Sequence, residues 1–153
     1  MPKIVGFANG CFDILHQGHI HLFKEAKKKC DYLIIGLNSD KSVRKLKGTD
    51  RPIFNQKHRK TILENIKYID KVILFNELTP KNLILKLKPN IIFKGSDYEK
   101  KKVVGYKLLP RKGLISIIKL KKNISTTKLI KNLIINISKV SKSKKSKIHK
   151  RGN

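Results

Sequence analysis

The stretch Ile4-Val5-Gly6-Phe7-Ala8-Asn9-Gly10-Cys11-Phe12-Asp13-Ile14-Leu15-His16-Gln17-Gly18-His19 decides the fold. Ile4 to Phe7 is a short unbroken apolar run and reads as a buried strand. Gly18 to Lys29 reads as a helix, with Ile20, Leu22, Phe23 and Ala26 on its apolar face. The turn between such a strand and such a helix is where a doubly wound α/β fold builds its ligand site. A helix start offers unpaired N–H groups and the positive end of the helix dipole. His16 and His19 straddle Gly18 at that start. Two imidazoles so placed can donate hydrogen bonds to phosphate oxygens as negative charge builds up. Gly18 predicts a close backbone approach to a phosphate. One histidine there would read as structural. Two at this spacing, after Asn9-Gly10 and Asp13, read as functional.

Outward from that junction, apolar strand-like runs alternate with helical patterns. Tyr32 to Leu37, Val72 to Phe75, Ile91 to Phe93 and Leu114 to Leu120 read as further strands. Gln56 to Tyr68 reads as a helix with Ile62, Leu63 and Ile66 facing inward. Another starts at Thr79, with Pro80 in its first turn, and stops at Pro89. Ser125 is placed to cap a last helix running to about Ile137. Short continuous apolar strands separated by helices predict a parallel sheet covered on both faces. The expected architecture is therefore α/β: a Rossmann-like, doubly wound, five-stranded parallel sheet with helices on both faces. The expected division is a domain over 1–137 and a basic, disordered tail over 138–153.

The 153 residues suit one domain with one core. No apolar run is long enough to span a bilayer. The N-terminus has no signal-peptide layout, so the expected compartment is the cytoplasm. Cys11 and Cys30, the two cysteines, are too few and too far apart for a disulfide framework or a zinc site, and both read as free thiols. No metal site is expected among the side chains. The net charge of +27 suggests a polyanionic partner. Yet lysine far outnumbers arginine, and only Ala8 and Ala26 represent alanine. That pattern reads as compositional drift combined with phosphate chemistry. Aspartate and glutamate stop at Glu99, and no aromatic residue follows Tyr106 to stack on bases. Dedicated nucleic-acid and membrane partners are therefore not expected, and the tail is read as a solvated extension.

The first turn lacks the Gly-x-Gly-x-x-Gly of a dinucleotide-binding protein, because Gly10 is followed by no glycine before Gly18. A phosphate-binding loop ending in Gly-Lys-Ser/Thr is also absent. What the stretch Asn9 to His19 does resemble is the signature of the cytidylyltransferase-like superfamily. Asn38-Ser39-Asp40, Val43 to Gly48, Arg51-Pro52, Lys94-Gly95-Ser96-Asp97-Tyr98 and Ser125-Thr126-Thr127 are similar to the adenylyltransferase domain of the bacterial heptose-phosphate enzymes. The resemblance covers roughly Lys3 to Leu133.

The resemblance implies that D-glycero-β-D-manno-heptose 1-phosphate and ATP give ADP-heptose and pyrophosphate, a precursor for lipopolysaccharide cores. It implies that His16 and His19 contact the nucleotide phosphates and stabilise the transition state. Lys45 and Lys47 become candidate phosphate clamps. Arg59 stands where related enzymes carry a phosphate-binding arginine, and a planar guanidinium suits such contacts. Asn9, Gly10, Cys11 and Phe12 would wall the nucleotide. Asp13 could orient a histidine or lysine, or cap the turn. Gly95 and Asp97 end the fourth strand, where Asp97 could bind substrate hydroxyls or help hold Mg²⁺. Ser125, Thr126 and Thr127 could bind phosphate or cap their helix. With carboxylates scarce, Mg²⁺ is expected to ride mainly on the triphosphate of the co-substrate ATP.

Leu120 stands where glycerol-phosphate cytidylyltransferases carry an arginine, which favours ATP over CTP. Asn123 replaces a usual glycine but tolerates positive φ. In many bacteria this domain is fused to a sugar kinase, so a separate sugar kinase is the expected pathway partner. Related enzymes often dimerise, which allows a homodimer. The alternatives are a cytidylyltransferase acting on glycerol 3-phosphate, and a non-enzymatic RNA- or membrane-binding protein acting through its basic tail.

Overall fold

The computed structural model describes residues 2–96, 99, 102–106, 108–109, 114–119 and 126–149, the last of these as backbone alone from 140. Chain contacts divide it into two units, residues 1–121 and 122–153. The first unit holds β1 (Val5–Gly10), α1 (Gln17–Lys27), β2 (Tyr32–Asn38), α2 (Asp40–Lys47), α3 (Gln56–Glu64), β3 (Lys71–Phe75), α4 (Lys81–Leu87), β4 (Ile91–Gly95) and β5 (Leu114–Ile118). The strands form one sheet in the order β3-β2-β1-β4-β5. Every pairing is parallel, as the continuous apolar runs predict. The chain winds outward from β1 to β3, then returns to β4 beside β1, so the switch point lies between β1 and β4.

Alternation along the strands sends side chains to two cores. Leu33, Ile35 and Leu37 join Ala8, Phe93 and Val72 with Leu22, Phe23 and Ala26 of α1 and Leu63 of α3. Phe7, Ile34 and Ile92 face the other way, onto Ile84 of α4 and Val103. Helices on both faces complete the doubly wound layout.

Several elements differ from what the sequence predicts, among them α4, which starts at Lys81 with Pro80 as its cap residue rather than in its first turn. Ile20 and Ile62, expected to face inward, are exposed. The helix expected to reach Tyr68 ends at Glu64, where Asn65 caps it. A helix not predicted at all, α2, follows β2. It buries only Ser42 and Val43, so it lacks an apolar stripe to be read. Its end signals were present, though: Ser39 caps it through a bond from the Ser42 N–H, and Gly48 ends it at φ +100°. The second unit contains α5 (Thr126–His149). The helix expected to stop near Ile137 continues to His149, because no proline or glycine interrupts it and lysine is a good helix former. Among the described residues no helix is long and apolar enough to cross a membrane.

Candidate active site

The start of α1 lies at the carboxyl end of β1, beside the switch point. Phe12 adopts a left-handed φ of 45° and drives its ring into the core. A Cβ at Gly10 would meet that ring at 3.1 Å, so any larger residue there would press on Phe12. His16 caps the helix in an extended conformation, and its Nδ1 accepts the Gly18 N–H at 3.2 Å. His19 reaches back, and its Nδ1 accepts the His16 N–H at 3.3 Å. This is a capping box built from two imidazoles. The rings stack with centroids 3.8 Å apart, and the Phe12 ring meets His19 edge-on. A Cβ at Gly18 would stand 3.0 Å from two atoms of the His16 ring. The side of Gly18 on which a Cβ would stand is thus taken by the His16 ring.

Burial lowers the His16 pKa. His19 is pushed down to about 3, first by burial and then by the neighbouring His16. Both rings are therefore neutral at physiological pH. Since each Nδ1 accepts a backbone N–H, each ring proton sits on Nε2. The site presents two fixed, uncharged N–H donors.

Asp13 bonds to the segment that follows α2 and to neither histidine. Its buried carboxylate accepts the Ile53 N–H at 2.8 Å, the Phe54 N–H at 3.0 Å and the Arg51 Nε–H. Burial pushes its pKa up, but those backbone N–H groups and Arg51 outweigh burial and hold it below the usual range. Arg59, expected as a phosphate clamp, is 1 % exposed. It donates to the carbonyls of Phe54 and Asn38, each at 2.9 Å, to the Cys11 carbonyl, and to Asp40 Oδ1 at 2.7 Å. Protein acceptors thus take its guanidinium beneath the site. The Cys11 thiol is raised by burial, against the lowering fields of Lys47, Arg59 and Arg51, so it stays protonated at neutral pH. Lys47 ends α2, and its charge acts on the Cys11 thiol. Lys45 is exposed on the same helix.

At the switch point Lys94 Nζ donates to Asn9 Oδ1 at 2.7 Å, joining the ends of β4 and β1. Gly95 ends β4 and is buried. Asp97 and Ser125 lie outside the described residues, as do Tyr98, Leu120 and Asn123. Thr126 and Thr127 begin α5, in the second unit. Asp40, Arg51 and Lys94 received no role from sequence, although all three stand inside quoted motifs. A groove of about 350 Å³ on α3, lined by Asn55, Lys57, His58, Thr61 and Ile62, holds none of the expected site residues.

A parallel doubly wound sheet with two imidazoles capping the first helix defines the nucleotidyltransferase class. Residues 7–132 match the cytidylyltransferase-like family, and the chain belongs to it. It is 47% identical to the bifunctional protein HldE of Nitrobacter winogradskyi over 128 residues, 83% of this chain and 26% of that protein. It is 46% identical over 131 residues to the bifunctional protein HldE of Campylobacter concisus, 86% of this chain and 27% of that protein. The chain thus spans about a quarter of the length of the curated relatives it matches. Among solved structures, a lipopolysaccharide core biosynthesis protein from Thermoplasma volcanium superposes with a TM-score of 0.63 at 31% identity. That match covers 80% of this chain and all of the other. Pantothenate synthetase from Thermus thermophilus, at 15% identity and a TM-score of 0.59, shares the fold.

Proposed function

We propose that this domain is an adenylyltransferase joining ATP to D-glycero-β-D-manno-heptose 1-phosphate, with release of pyrophosphate and formation of ADP-heptose. The observation that carries the reading is the imidazole capping box, whose two neutral rings each offer an Nε2–H. Similarity to the HldE proteins supports the choice of nucleotide and sugar.

An oxygen of the sugar phosphate forms a bond to the α-phosphorus of ATP, and the bond from that phosphorus to the bridging oxygen breaks. Negative charge passes to the departing pyrophosphate. His16 and His19 donate Nε2–H bonds to phosphate oxygens as that charge grows. They are donors fixed beforehand, so no reorganisation is needed during the step. Lys45 and Lys47 add positive potential from α2. Asn9, Gly10, Cys11, Phe12 and Gly95 form the backbone wall at the switch point. Asp97, Ser125, Thr126 and Thr127 are proposed substrate and phosphate contacts on the strength of the resemblance alone. Bound Mg²⁺ would supply charge neutralisation to the triphosphate. Asp13 and Asp40 are both paired with arginines, so the triphosphate itself would hold the ion. A sugar kinase as supplier of the phosphate, a cytoplasmic location and a homodimer belong to the same proposal.

The test is pyrophosphate release with Mg²⁺ across ATP and CTP, against both anomers of heptose 1-phosphate and against glycerol 3-phosphate. Release with ATP and the β-anomer supports the reading. Release with CTP and glycerol 3-phosphate keeps the class but overturns the substrates. His16→Ala and His19→Ala should each lower turnover by about 10²–10³. Near-wild-type turnover in both variants overturns the assigned donors.

A further inference from the structure

Helix α2 carries Lys45 and Lys47 but is poorly held by apolar packing. Only Ser42 and Val43 are buried, and Leu46 is 45% exposed. Its two ends are gripped instead by polar groups. At the first residue, Asp40 pairs with buried Arg59 at 2.7 Å. Beyond the last residue, Arg51 pairs with buried Asp13. The two anchors meet at Phe54. Asp13 accepts its N–H at 3.0 Å, and Arg59 donates to its carbonyl at 2.9 Å. Arg59 also donates to the carbonyl of Cys11, in the loop that leads to His16. The bonds close a ring through Cys11, Asp13, Phe54 and Arg59. Each pair has one fully buried partner, Asp13 or Arg59, which is costly to desolvate, and apolar replacements of buried pairs often stabilise as well or better. Their use here points to placement as their purpose.

We propose that Asp13 and Arg59 are positioning residues that fix the lysine-bearing helix against the histidine loop, one at each end of that helix. This rests on the adenylyltransferase reading for its catalytic consequence but not for its geometry. The field of Lys47 already reaches Cys11. If Asp13 works through Lys47, loosening Asp13 must remove what Lys47 contributes.

The experiment is a double-mutant cycle on the full chain with Asp13→Asn and Lys47→Ala, read as kcat/KM for ATP. Asn keeps the shape, but its amide nitrogen donates where Arg51 and two backbone N–H groups also donate. Asp13→Asn should lower kcat/KM about a hundredfold, the scale of an ångström-sized misplacement. Adding Lys47→Ala should then cost little more. Multiplication of the two single effects overturns the proposal, since independent sites combine in that way. Amide hydrogen exchange on the same variants is a readout without catalysis. Residues 40–54 should exchange faster in Asp13→Asn while β1 and β2 hold. Unchanged exchange across 40–54 overturns the proposal. If the wild type releases no pyrophosphate with any substrate pair, the functional reading falls and exchange alone decides the positioning role. Should Asp13→Asn fail to fold, Asp40→Asn takes its place in both measurements, since the Asp40 side chain is 20% exposed.

Discussion

Helices α1 and α2 do the same topological job in different ways. Each follows a parallel strand and starts at its carboxyl end, one after β1 and one after β2. Helix α1 is held by its face, burying Leu22, Phe23 and Ala26. That leaves its N-terminal cap to be built from His16 and His19, the proposed phosphate donors. Helix α2 is held by its ends, through Asp40–Arg59 and Arg51–Asp13. Its cap is a plain Ser39. The difference teaches that a basic surface helix can be placed accurately without an apolar stripe, provided buried charges clamp both termini.

The largest expected effect breaks the comparison from the α2 side. Arg59→Met strands the Asp40 carboxylate and leaves the carbonyls of Cys11, Asn38 and Phe54 without their donor. Removing one partner of a buried pair costs about 3–5 kcal/mol, read as a shift in the urea midpoint. Val43→Ala should cost clearly less. If Val43→Ala cost as much, α2 would be a face-held helix after all.

The second effect sharpens the comparison through pH. His19 has a pKa of about 3 in the fold, against 6.5 as its ordinary value. Between those values the unfolded chain binds a proton that the folded chain excludes. Stability is therefore full above about pH 6.5 and falls as the pH drops toward 3, by up to ~1.4 kcal/mol per pH unit. The Asp13 carboxyl, held below 3.8, acts in the same direction but only at more acidic pH. Denaturation between pH 7 and 4 should show the histidine limb, and His19→Gln should shrink it to what His16, also lowered by burial, contributes. A limb of equal slope in that variant would place the titration elsewhere.

The same contrast explains what the sequence could reveal. The strands and α1 were legible because apolar runs and helical spacing survive any amount of lysine on the surface. The histidine pair was legible because it sits within a few residues at a junction whose use is general. Helix α2 was not, since Val43 is its only buried apolar residue and spacing cannot be read from one position. The roles of Asp13 and Arg59 were not legible either. Their partners are far along the chain, Asp13 with Arg51 to Phe54 and Arg59 with Cys11 and Asn38. Charge type alone cannot say whether an arginine faces a phosphate or a ring of carbonyls. The close approach of the His16 ring to Gly18 was not legible, because it depends on the side-chain conformation that the capping bonds impose.

The smallest effect compares Gly18, in the first turn of α1, with Gly48, at the end of α2. Gly18 has no left-handed requirement, and its constraint is space: a Cβ would lie 3.0 Å from Cε1 and Nδ1 of His16. The His16 ring is stacked on His19 at 3.8 Å, so it cannot yield in that direction. It must swing away, lengthening the Nδ1 bond to the residue-18 N–H and redirecting Nε2. Because the clash is with a side chain, the fold loses little, and alanine offsets part of it by its helix propensity. Gly18→Ala should therefore keep its melting temperature while turnover falls about tenfold, within the range that misplaced catalytic groups produce. Gly48 is the reverse case, with φ +100° and no atom within 4 Å of a Cβ. Gly48→Ala should cost roughly 1 kcal/mol of stability from backbone strain alone. Full turnover in Gly18→Ala would mean that the stacked imidazoles are not the working arrangement, and the distinction between a chemical cap on α1 and a structural one on α2 would fall with it.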